Sequence, residues 1–141
     1  MGLSLGSQEL ADECIRRQEE DPDFQEQMKG LEAKLLMVST DCPGNEDRQL
    51  AIVFEEGRLT EIIVEAKPAP SDLRTAPFDH TKYEFRVQAP QDTLIDMISG
   101  KMDLIQALPV CKIEGDFAKL MAKAEGFTNF IKYLGTMDIV P

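Results

Sequence analysis

The sequence predicts an α+β fold, a five-stranded and mostly antiparallel sheet with helices packed on one face. Three observations predict it. Helix-periodic apolar stripes occupy residues 7–31 and most of the chain after Pro90. Strand-like alternation fills residues 31–66 and 82–89, and a proline-bearing tract separates those two regions.

The first helix is capped by Ser7, and Leu10, Ala11, Cys14 and Ile15 form its apolar stripe before the polar run Arg16–Glu20. Asp21-Pro22 restarts a helix: the aspartate accepts free amide protons and proline fits the first helical position. Phe24, Met28 and Leu31 continue a stripe, and Gly30 ends the helix. Leu31–Ser39 is then an apolar-rich strand. Pro43-Gly44-Asn45 makes a turn. Gln49–Glu55 follows as a strand with Leu50, Ile52 and Phe54 on one face. Glu56-Gly57 reverses the chain into Arg58–Ala66, where Ile62, Val64 and Ala66 alternate with charged neighbours. These strands form a meander.

Lys67–Thr81 carries Pro68, Pro70 and Pro77 and is long for a loop inside a compact domain, which marks a lid, a binding loop or an insertion. Lys82–Ala89 is the cleanest strand, with Tyr83, Phe85, Val87 and Ala89 inward and Lys82, Glu84, Arg86 and Gln88 outward. Pro90 opens a short helix that Gly100 ends. A brief helix at Asp103–Leu108 leads to a short strand, Val110–Glu114. Asp116 caps a long final helix with Phe117, Leu120, Met121, Ala124, Thr128 and Ile131 on one stripe, kinked at Gly126 and closed at Gly135. A chain of 141 residues fits one domain, divided into helices (1–30), meander (31–66), loop (67–81) and a strand–helices–strand–helix unit (82–141).

Composition narrows function. The 26 acidic against 15 basic residues give a net charge of −11, which argues against a phosphate-binding, nucleic-acid-type surface. Residues 1–72 hold 17 acidic and 7 basic side chains (net −10), whereas 73–141 hold 9 and 8 (net −1). The second half is therefore the one that could approach an anionic lipid surface, and at most transiently. One histidine excludes sites built from several imidazoles. Cys14, Cys42 and Cys111 have neither zinc-site nor disulfide-framework spacing. The N-terminus lacks a signal-peptide pattern and the longest apolar runs are four residues, so a cytoplasmic protein is expected.

The segment Thr93–Leu108 ("TLIDMISGKMDLIQAL"), followed by Lys112–Asp116 ("KIEGD") and an apolar helix, resembles the sterol carrier protein type 2 family. Gly100, Lys101, Met102 and Asp103 match the family's Gly-Lys-hydrophobic-Asp turn, and Gly115-Asp116 match its strand-ending Gly-Asp. Asp21–Leu31 ("DPDFQEQMKGL") is similar to its Asp-Pro helix running into the first strand. The chain departs from the family at Val110 and Cys111, where members carry Gly and Lys, and in its longer Lys67–Thr81 loop. It also ends in Asp138-Ile139-Val140-Pro141 in place of a peroxisomal address, so a stand-alone prokaryotic member fits better. The resemblance implies a non-enzymatic carrier with no cofactor and no metal, binding a fatty-acyl, isoprenoid or sterol-like ligand in an apolar tunnel between sheet and helices.

Under that reading the lining is Phe54, Ile62, Val64, Phe85, Val87, Leu94, Ile98, Met102, Leu120, Met121 and Phe127. The final helix or the Lys67–Thr81 loop would move to admit a chain. Burying about 14 methylenes at ~0.8 kcal/mol each is worth roughly 11 kcal/mol gross. Association costs of ~4 kcal/mol or more then leave micromolar or tighter binding. Lys101 and Lys112 are candidate contacts for a carboxylate or CoA head. The alternative is a protein-interaction or accessory module with a filled core that docks on a lipid-metabolising enzyme. Catalysis has one candidate, Asp79-His80, where an oriented imidazole could act as a base, but no nucleophile elbow surrounds any serine. The carboxylate pairs, and the acidic stretch Asp41–Asp47, lack catalytic or calcium-loop spacing.

Overall fold

A computed structural model describes residues 2–141. The elements in chain order are β1 (Leu3–Ser4), α1 (Gln8–Glu20), α2 (Pro22–Met28), β2 (Ala33–Cys42), β3 (Glu46–Glu55), β4 (Arg58–Pro68) and a 3-10 turn, η1 (Asp72–Arg74). Then come β5 (Phe85–Pro90), α3 (Gln91–Ile98), α4 (Leu104–Ala107), a second 3-10 turn, η2 (Leu108–Val110), β6 (Lys112–Gly115), α5 (Phe117–Ala122), α6 (Ala124–Leu134) and β7 (Ile139–Val140). The main sheet has the order β4-β3-β2-β5-β6. Every neighbouring pair in it is antiparallel except β2 and β5. The α+β architecture is the one the sequence predicts. A two-stranded parallel pair of β1 and β7, which the sequence reading does not contain, ties the two ends of the chain together.

The helix starts follow capping chemistry. The Ser7 side chain accepts from the Leu10 amide at 3.2 Å, and that of Asp21 from Asp23 at 2.9 Å. Asp103 forms a capping box with Gln106, and the Asp116 side chain accepts from Lys119. Each cap satisfies an amide that the first helical turn leaves without an intrahelical partner. Leu10, Cys14, Phe24 and Met28 from α1 and α2 cover the β3–β4 half of the sheet, and α3, α5 and α6 cover the β2–β5–β6 half.

Four expectations are corrected. The final helix breaks at Lys123 (φ −103°, ψ 8°), not at Gly126. A Cβ on Gly126 would lie 2.7 Å from Leu31 Cδ1, so this glycine is a point of close packing. The break turns α6 to bring Phe127, Phe130, Tyr133 and Leu134 into the core. It also leaves Phe117, the first residue of the predicted stripe, exposed.

The strand after the loop begins at Phe85, and Tyr83 lies on the opposite face with Leu36, Ala51 and Phe78. Residues 79–84 form a turn in which the Lys82 and Tyr83 amides donate to the Asp79 carbonyl, so alternation cannot begin there. The third correction concerns the outward face. Arg86 is only 4% exposed: its guanidinium sits 5.8 Å from the Phe78 ring centre and donates to Glu114. Finally, Ile15 is partly exposed on α1, and Gln18 is buried in its place, its amide donating to the Leu59 carbonyl at 2.9 Å and accepting from the Leu59 amide.

The 69–84 segment covers that outward face. Its anchor is Asp47, whose side chain is fully buried. Asp47 Oδ2 accepts from the Ser71 amide (3.0 Å), the Ser71 hydroxyl (2.7 Å) and Arg74 Nε (2.7 Å). Its Oδ1 accepts from Arg74 Nη2 (2.8 Å) and the Asp41 amide (3.1 Å). Arg74 also bonds Asp41. The acidic stretch Asp41–Asp47 is therefore a clasp for the loop. Among the described residues no cluster of His, Cys, Asp or Glu could hold a metal ion.

Gly115 closes β6 against the chain before β5. Its φ is +108° and an added Cβ would lie 2.1 Å from the Glu84 carbonyl oxygen. Gly100 has φ +85° but open space around its Cβ position. Gly115→Ala is thus expected to lower stability by well over ~1 kcal/mol, and by more than Gly100→Ala, which carries only the backbone strain. Urea midpoints of the two variants against the parent check this ordering.

Candidate functional site

The register of the sheet sets the floor of an apolar cavity. Leu35 pairs with Phe85 and Ile52, Met37 with Val87 and Leu50, and Val87 with Ile113, so these side chains share the helix-facing surface. Leu35, Met37, Ile52, Val87 and Ile113 line the cavity from below. Above them lie Leu94, Met97 and Ile98 of α3, then Leu104, Leu108 and Cys111 around α4 and η2. Leu120 of α5 joins Phe127, Phe130, Ile131 and Leu134 of α6 to close the roof. No lining side chain is charged, and the side-chain heteroatoms of the lining are all sulfurs.

The cavity volume is about 90 Å³. That is below the ~150 Å³ apolar cavity known to accept benzene. A long alkyl chain cannot lodge there unless lining residues move outward.

The segments able to move are identifiable from their burial. Ala107 is the one buried residue of α4, η2 has none, and Leu120 is the one buried residue of α5, whereas α6 buries Phe127, Phe130, Tyr133 and Leu134. In addition, Tyr133 donates its hydroxyl to Asp21 at the α2 cap, which ties α6 to the N-terminal helices. That bond holds the Asp21 carboxyl below its usual range. Three of the large apolar side chains most open to solvent sit on the lightly held segments: Ile105 (59%), Val110 (54%) and Phe117 (51%).

Of the residues named from the sequence, Val87, Leu94, Ile98, Leu120 and Phe127 meet around this cavity. Phe54 and Phe85 are core residues beside it, stacked edge-on against Phe130 (5.3 Å) and Phe127 (6.0 Å). Ile62 and Val64 belong to β4 at the far edge of the sheet, where they pack against the core beneath α1. Met102 packs against the core from the α3–α4 turn, and Met121 is half-buried on α5. The floor residues Leu35, Met37, Ile52 and Ile113 were not among the residues named, nor were Met97, Leu104, Leu108, Cys111, Phe130, Ile131 and Leu134 above them. The alternation of Leu35 and Met37, continued by register to Val87 and Ile113, was the signal, but it needs the strand order to be read.

Other features place chemistry elsewhere. Asp79 Oδ1 accepts from the Thr81 amide (2.9 Å) and hydroxyl (2.5 Å), which hold its carboxyl below the usual range, so Asp79 orients Thr81 and not His80. His80 is exposed and lies edge-on to Phe78, 4.6 Å between ring centres. The polar groove beside it, about 450 Å³, contains Glu84 and Lys123, which pair with each other at 2.9 Å. Burial pushes the Cys14 thiol up to about 12 and raises Cys111, so both are neutral thiols at ordinary pH. Lys101 and Lys112 are exposed, and Lys112 reaches the Arg74 carbonyl and Glu114 on the outward face. The Lys67–Thr81 loop lies against that same face, away from the cavity, so it cannot serve as its lid.

The chain has the fold of sterol carrier protein 2. A crystal structure of sterol carrier protein 2 superposes with a TM-score of 0.69 at 15% identity, covering 94% of this chain and 98% of that one. A conserved hypothetical protein of Thermus thermophilus, described as a candidate sterol carrier protein, superposes with a TM-score of 0.69 at 15% identity over 99% and 94%. The sterol carrier protein domain 2 of Helicoverpa armigera gives 0.53 at 14% identity over 91% and 87%. No family model matches the sequence, and no curated protein matches it. Among the described residues no helix is long and apolar enough to cross a membrane.

Proposed function

We propose that the chain is a single non-enzymatic, cytoplasmic lipid-binding unit that takes up and releases a fatty-acyl, isoprenoid or sterol-like ligand between sheet and helices. The observation that carries this reading is the wholly apolar cavity at the β2–β5–β6 half of the sheet, in a fold shared with sterol carrier protein 2. The ligand would contact Val87, Leu94, Ile98, Leu120 and Phe127 first. Phe54, Phe85 and Met102 would form the next layer, with Met121 reached if α5 moves. Ile62 and Val64 would be reached only by a chain that also displaced α1. Because the resting volume is small, binding couples to outward movement of α4, η2 and α5, which hold few buried contacts.

Exposed Ile105, Val110 and Phe117 favour a second reading, a module with a filled core that docks on a lipid-metabolising enzyme through exposed apolar side chains. Native mass spectrometry of the purified protein, followed by lipid extraction and titration with a fluorescent acyl probe, separates the two. A bound lipid, or saturable micromolar probe binding, is expected. A bare protein that binds no probe would overturn the carrier reading in favour of docking.

A further inference from the structure

Two buried polar side chains continue the elements that line the apolar cavity. Along α3, Leu94 and Ile98 line the cavity, and Gln91 precedes Leu94 by three positions on the same stripe. Along β2, Leu35 and Met37 line it, and Ser39 is the next residue on that face. The register brings these two continuations together: Ser39 pairs with Ala89 and Thr40 with Pro90, the residue from which α3 starts. Gln91 is 3% exposed and Ser39 2% exposed. The Ser39 hydroxyl accepts from the Cys42 thiol at 3.3 Å. The Gln91 side-chain Nε2 has no hydrogen-bond partner among the described residues. A buried amide donor left without an acceptor is costly, so it marks a place where an acceptor is missing.

We propose that Gln91 donates to an uncharged oxygen at one terminus of an alkyl-chain ligand, of the alcohol, aldehyde or ester class, inserted with that end beneath the start of α3. This rests on the lipid-binding reading of the cavity and specifies the ligand's chemistry. A carboxylate is disfavoured because the cation that the register places beside Ser39 is already paired. Arg48, which pairs with Ser39 across the sheet, is already committed to Glu46 (2.8 Å) and to the Leu5 carbonyl (2.8 Å). A buried anion would therefore stand uncompensated.

The test is displacement of a fluorescent alkyl probe by dodecane, 1-dodecanol and dodecanoate, in the parent and in Gln91→Met. Methionine matches glutamine in shape and lacks the donor, and Gln91→Leu serves as a second variant should Met misfold. The quantity read is the alcohol-to-alkane affinity ratio, compared between proteins as a cycle. The ratio is expected to fall about tenfold in Gln91→Met, with dodecanoate weaker than dodecanol in the parent. An unchanged ratio, or dodecanoate binding tighter than dodecanol, overturns the assignment while dodecane binding keeps the cavity reading intact. If none of the three displaces the probe, the cavity reading falls and this inference with it.

Discussion

Asp47→Ala is expected to cost about 3–5 kcal/mol of stability and to release the 69–84 segment from the sheet. The side chain removed is fully buried and accepts from Ser71, Arg74 and the Asp41 amide. Its loss leaves the Ser71 donors and the Arg74 guanidinium without their acceptor. Arg74 retains some solvent and its bond to Asp41, which places the cost near the lower end of that range. The segment it anchors carries Phe78 and Tyr83 over Leu36 and Ala51, so its release uncovers an apolar strip on the sheet. Increased binding of a hydrophobic dye, together with a lower urea midpoint, is the expected signature. The pH dependence gives an independent check. The Arg74 guanidinium and the Ser71 donors hold the Asp47 carboxyl well below the usual carboxylate range. Its contribution is therefore fully present above about pH 4, the unfolded value, and is lost as pH falls further toward the folded one. Asp47→Asn should flatten the acid limb of the stability profile. An acid limb identical to the parent's would mean that Asp47 does not anchor the segment.

The same residues show how far local sequence reading reaches. Caps are local, so Ser7, Asp21 and Asp116 could be assigned from neighbours a few positions away, and all three act as caps. The meander was equally legible, because alternation and the Glu56-Gly57 reversal lie within one stretch. What escaped was set by partners far along the chain. Arg86 looked like an outward, solvated position because alternation tells one sheet face from the other but not what covers each. A segment of several prolines, held by an Asp47–Arg74 pair 27 residues apart, covers this one. The break at Lys123 likewise answers to Glu84 and Leu31, which sequence periodicity does not contain. The cavity followed the same rule. Leu94, Ile98 and Leu120 could be taken from apolar helix positions, but Phe127 lay off the predicted final stripe and Phe130, Ile131 and Leu134 were not named as lining, and the floor depends on β5 lying parallel beside β2, a pairing between strands separated by two others in sequence. Ile62 and Val64 were drawn toward the ligand for the same reason: their alternation is right, but β4 lies at the opposite edge of the sheet from β6.

Val87→Phe is expected to weaken alkyl-chain binding by about two orders of magnitude while the protein stays folded. Val87 lies at the centre of the cavity floor, between Met37 of β2 and Ile113 of β6. A benzyl group there projects into the ~90 Å³ space instead of into a filled core. It replaces about four methylenes of the ligand, at ~0.8 kcal/mol each, a loss of about 3 kcal/mol or two decades in Kd. Overpacking ordinarily costs ~1–3 kcal/mol, but here the added ring fills existing empty volume, so stability should fall by less than that or rise. The comparison variant is Ile62→Phe on β4, outside the cavity, which should bind the acyl probe like the parent. The opposite pattern, in which Ile62→Phe blocks binding and Val87→Phe does not, would move the ligand under α1 at the other half of the sheet. Loss in neither variant would require a site outside the sheet–helix layer altogether. The expected pattern, loss in Val87→Phe alone with an intact urea transition, ties binding to the space between β5 and α3.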